Sequence, residues 1–160
     1  MANATAGRFQ RATPVACFAL AAVAGLTAVS GLVGSVGYSL DRGLGLMDLP
    51  AGLMLGVPFA AVSVMVLFAG INASRIPGAD NPGPRLERAR TLVTFSVVPL
   101  IASFIGAIGL GFLDASASPW WVGMLVTVAR LGVPAVLLGW ILAVVIVWKA
   151  RIRLAATTTA

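Results

Sequence analysis

The sequence predicts an all-α integral membrane protein, a bundle of four transmembrane helices, and three observations carry that expectation. Four long apolar runs are separated by the charged residues, the pattern of successive membrane spans. Only 10% of the 160 residues are charged, where a soluble domain carries about 25%, and the mean hydropathy is +1.01. Nine of the eleven Lys and Arg residues fall on one side of the alternating runs.

The first run carries no charge from Ala12 to Leu40. Thr13 followed by Pro14 reads as a helix start, a capping hydroxyl and then proline at the first helical position, and this places helix one at about 14–38. A secretory signal shares the basic start but has a shorter apolar core, so the run is read as a retained helix. Thr27, Gly31 and Ser35 recur every four residues, as do Ala21 and Gly25, giving small-residue faces suited to close packing within the chain.

A net acidic loop, Asp41 to Pro50, contains Asp41, Arg42 and Asp48, and helix two follows at about 51–72. The most polar segment, 73–90, has prolines and glycines that argue against a continuous helix before Arg85. Helix three is expected at about 91–113. Pro99 interrupts it and frees the carbonyl of Phe95, for which Ser96 and Ser103 are candidate donors. After a short loop, Ser118 and Pro119 repeat the cap-plus-proline start, and helix four runs over about 119–149.

Orientation follows from charge. Arg8 and Arg11, then Arg75, Arg85, Arg88 and Arg90, then Lys149, Arg151 and Arg153 share one side, and Arg42 and Arg130 do not. The positive-inside rule makes that side cytoplasmic, with both termini and the 73–90 loop inside. One Lys against ten Arg, with abundant Ala, Gly and Val, points to a GC-rich bacterial genome and hence to the bacterial inner membrane.

The segment LGVP occurs at Leu55–Pro58 and again at Leu131–Pro134, 76 residues on, and at that offset Arg75 matches Arg151. Leu40–Asp41 pairs with Leu113–Asp114 at an offset of 73. The echo suggests two copies of one hairpin in parallel orientation. It also exposes an asymmetry, because Pro119 precedes Pro134 by fifteen residues and Pro50 precedes Pro58 by eight. A helix over 119–148 is about 45 Å long at 1.5 Å per residue, against a hydrocarbon core of about 30 Å. The surplus is open to three readings: tilt, a break near Gly132–Pro134, or projection of 119–130 onto a partner.

Catalytic signatures are missing. The chain has no His, which removes histidine metal ligation, bis-histidine haem and histidine acid–base chemistry, and its single cysteine, Cys17, forms no intrachain disulfide. All five acidic residues, Asp41, Asp48, Asp80, Glu87 and Asp114, sit in loops or flanks, so no buried carboxylate is available for proton-coupled exchange. Neither a nucleophile elbow nor a phosphate-binding loop is present, and no cofactor or metal is expected. The net charge of +6 lies in arginines flanking apolar spans, the arrangement for anionic lipid rather than nucleic acid.

The candidate contact residues are therefore few. Arg130 is placed near the outer membrane boundary, Trp120 and Trp121 are placed as an interfacial belt, and Arg85, Arg88 and Arg90 lead into helix three at the cytoplasmic face. Trp148 fits a belt as well, whereas Trp140 falls mid-span and is expected to pack against a neighbouring helix. The expected function is a non-catalytic integral subunit or accessory protein of a bacterial inner-membrane complex, with anionic lipid and other membrane subunits as partners. The alternative is a small oligomeric transporter or channel lined by Ser, Thr and Gly, and a lipid-acting enzyme ranks below both.

Overall fold

The computed structural model describes residues 2–43, 49–76, 83–111 and 118–158, and the expected loop residues Asp48, Asp80 and Asp114 lie outside them. Five helices follow one another: α1 (Ala2–Asp41), α2 (Leu49–Ser74), α3 (Gly83–Phe95), α4 (Val97–Gly111) and α5 (Trp120–Thr158). The described residues contain no strand. Four stretches are long and apolar enough to cross a membrane: Arg11–Asp41, Gly52–Ser74, Gly83–Gly109 and Trp120–Ile152. Among the described residues the fold is an all-helical bundle.

Helix α1 lies between α2 and α5, while α2 packs on its other side against α3 and α4. Small residues set these contacts. A Cβ added to Gly56 would run into Leu32 of α1, one on Gly52 would come within 2.6 Å of the Ser35 Cβ, and one on Gly132 would collide with Thr27. The small-residue stripes of α1 are thus spent on its own neighbours, where missing side chains let backbones approach. Between the helices lies a core of Leu55, Phe59, Val62, Val93, Val126 and Val136, all essentially inaccessible.

Several boundaries differ from the sequence expectation. Thr13 and Pro14 do not start a helix: α1 begins at Ala2, Pro14 is inside it and Thr13 is buried. Proline lacks only one donor, and a helix packed on two sides tolerates that loss. The 73–90 segment is helical from Gly83, so Arg85, Arg88 and Arg90 stand on α3 rather than on a loop. At the start of α5 the Pro119 carbonyl accepts from the amides of Val122 (2.9 Å) and Gly123 (3.2 Å), but the buried Ser118 hydroxyl makes no hydrogen bond and so does not cap.

The interruption near Pro99 is present, as a turn at Ser96 that divides α3 from α4. The serines do not serve Phe95. The Ser96 hydroxyl donates to the Val93 carbonyl (2.7 Å) and that of Ser103 to Leu100 (2.6 Å), each reaching the nearest carbonyl one turn back.

Helix α5 does not break at Gly132–Pro134, and its first turns do not project. Val122, Val126 and Ala129 are buried, and the Trp121 ring lies against Gly37 of α1. The surplus length is matched by α1, which is 40 residues long against 39 in α5. Nor does the second hairpin copy the first. α1 and α2 pack along their length, whereas α4 and α5 barely touch and α5 pairs with α1 instead. Of the two LGVP copies, both glycines face α1, but Leu55 is 0% exposed and Leu131 is 67% exposed.

Candidate functional site: a basic end and an open seam

The end of the bundle that carries the termini is organised by one carboxylate. Glu87, on α3, meets Arg90 one turn later (Oε1 to the guanidinium, 3.4 Å) and Arg151 of α5 (3.5 Å). The first contact follows from i,i+3 spacing on a helix, and the second ties α3 to α5. Arg90 also stacks over the Trp148 ring, 5.0 Å from its centroid, a cation–π contact of about 0.5–1 kcal/mol at such a site. Arg85 bridges the polar connection, donating to the carbonyl of Arg75 at 2.6 Å.

Arg88 is different. It is exposed, and both ion pairs among the described residues use Glu87 with other arginines. With Asn72 of α2 and Pro84, Glu87, Thr91 and Leu92 of α3, it lines a groove of about 520 Å³ between the two helices.

Further along, the Trp140 indole N–H donates to the Val93 carbonyl (2.9 Å) and to the Ser96 hydroxyl oxygen (3.0 Å). This fastens α5 to the α3–α4 turn. α4 and α5 themselves pack only sparsely. On α4, Gly106 abuts the backbone of Met54 and Leu55, with Ala102 and Ile105 on the same α2-facing side. Leu100 and Ser103 face the core, and Phe104 is 42% exposed. On α5, Arg130 precedes Trp148 by eighteen residues, five full turns, so the two share one stripe of the helix, about 27 Å apart. Arg130 is exposed.

The six residues singled out in the sequence therefore do not form one site. Arg85, Arg88 and Arg90 gather at one end with Arg75, Glu87 and Arg151, Arg130 stands apart on α5, and Trp120 (78% exposed) and Trp121 (partly packed on α1) sit at the opposite end. Sequence reasoning did not find the bridging role of Glu87, the place of Asn72 in the groove, or Phe104. An i,i+3 check from Glu87 to Arg90 would have found the first; the other two depend on which helices become neighbours.

No family model, curated protein or solved structure matches this chain.

Proposed function

We propose that the protein is a non-catalytic integral subunit or accessory protein of a bacterial inner-membrane complex, multi-pass, with both termini and the α2–α3 connection in the cytoplasm. The observation that carries this reading is the sparse packing between α4 and α5, two helices consecutive in the chain. The exposed apolar side chains of α4, Phe104 among them, suit a helix from another membrane subunit, because packing drives association in lipid. The buried polar side chains among the described residues support a structural role: all are hydroxyls, Thr13, Thr27, Ser30, Ser35, Ser39, Ser96 and Ser103, and the chain supplies no histidine to activate one.

The test is purification in lipid nanodiscs followed by mass spectrometry of co-purifying proteins. A stoichiometric membrane partner is expected with the wild type and not with Phe104→Arg, which places a charge on α4 at an already exposed position. An identical set of proteins with both, or no stoichiometric partner with the wild type, would contradict the reading.

A second reading, an oligomeric channel or transporter, draws on Ser35 and Ser39, whose buried hydroxyls have no hydrogen-bond partner in the protein. Purified protein in liposomes would then pass ions or solute, with selectivity altered by Arg130→Ala. Silent liposomes across several solutes would remove it.

A further inference from the structure

We infer that the groove between α2 and α3 is a binding site for one anionic phospholipid, its headgroup held by Arg88 and its acyl chain lying along Thr91 and Leu92. This rests on the reading that the bundle spans a bilayer. The groove is lined almost wholly by apolar surface, with Asn72, Pro84, Glu87, Arg88, Thr91 and Leu92 as its walls. The side chains of Asn72 and Glu87 are already engaged elsewhere. The amide nitrogen of Asn72 turns back to the Phe68 carbonyl at 2.8 Å. The carboxylate of Glu87 is shared between Arg90 and Arg151.

The remaining charge is cationic and directional. Arg88 lines the groove itself, and at the same end of the bundle the Arg85 guanidinium donates to the Arg75 backbone carbonyl. A guanidinium offers a phosphate two parallel donors, and the net charge attraction added to them is offset in a zwitterionic headgroup by its own ammonium or choline. An apolar trough ending in a guanidinium matches a lipid with a net negative headgroup, and neither a free anion nor a neutral lipid satisfies both parts. Arginines near a membrane surface attract anionic lipid with about 1 kcal/mol each, a factor of about five in affinity.

In the test, protein in neutral detergent is titrated with dioleoyl phosphatidylglycerol, dioleoyl phosphatidylcholine or inorganic phosphate, and its melting temperature is followed. Phosphatidylglycerol alone is expected to give a saturable rise. Arg88→Gln, at an exposed position, is expected to move the half-saturation point upward about fivefold, while Arg130→Gln leaves it in place. Thr91→Trp, which fills the trough and keeps the charge, is expected to weaken the response as well. Equal responses to the two lipids, a rise with inorganic phosphate alone, or an unchanged half-saturation point in Arg88→Gln or Thr91→Trp would overturn the site. Flotation of the wild-type protein with vesicles is measured alongside: a protein that fails to float refutes the membrane reading, whereas one that floats without distinguishing the lipids refutes this site only.

Discussion

The indole nitrogen of Trp140 and the carbonyl oxygen of Val93 are 2.9 Å apart, although the two residues are separated by 47 positions in the chain. This bond lies where α3 gives way to α4, and the Ser96 hydroxyl joins it at 3.0 Å. An N–H in an apolar interior needs an acceptor, and a proline-disturbed turn offers a carbonyl and a hydroxyl within reach. Trp140→Phe keeps most of the ring and removes the donor. It is expected to destabilise the bundle by about 1–2 kcal/mol, read as a lower melting temperature in detergent. A melting temperature equal to wild type would show that the bond contributes nothing.

The glycine contacts predict a graded series. At Gly106 a methyl group would meet the backbone of Leu55 and Met54, which cannot swing aside, whereas at Gly139 it would meet only the tip of Leu20 at 3.1 Å. Gly106→Ala should therefore cost about 1–3 kcal/mol and Gly139→Ala much less, because overpacking against backbone forces helices apart. Equal melting temperatures for the two variants would argue against the close α2–α4 approach.

Ser63 donates its hydroxyl to the Ala21 carbonyl at 2.8 Å, a bond between α2 and α1. The comparable hydroxyl of Ser103 serves its own helix. Ser63→Ala is expected to cost about 0.6 kcal/mol, and at most about 1.7, the range for interhelical bonds of this kind. Thermal unfolding of Ser63→Ala beside Ser103→Ala separates an interhelical bond from a local one, and the larger loss should fall on Ser63.

The early turns of α5 provide a test of packing against projection. Val126 is buried against α1 near Gly34. Val126→Ala should cost about 1–2 kcal/mol through lost contacts, while Trp120→Ala, at the exposed end of the same segment, should change stability little. A stable protein lacking 119–129 would show that this segment is dispensable, contrary to its burial.

The all-helical class and four apolar stretches of membrane-crossing length were legible in the sequence, because a long uncharged run leaves few alternatives in a chain with so little polar surface, although the third stretch is divided into α3 and α4 at Ser96. Caps were less legible. Thr13–Pro14 has the composition of a helix start, yet α1 runs through Pro14 from Ala2. How the early part of α5 is accommodated was left open for a related reason: its length looked excessive beside α2, but its partner is α1, and pairing between helices distant in sequence is not written in local composition. Arg85, Arg88 and Arg90 were found as a cluster, since charge near a span is a local signal. The groove beside Arg88 and the sparse packing between α4 and α5 needed the neighbouring helices to be known.

The most direct test of a partner at the α4–α5 seam is site-specific photo-crosslinking in intact membranes, with the reactive residue at Phe104 and, as a control, at Leu26, an exposed position on α1. The expected result is one discrete protein adduct from Phe104 and none from Leu26. Adducts of the same pattern at both positions, or none at Phe104, would contradict an accessory role built on that seam.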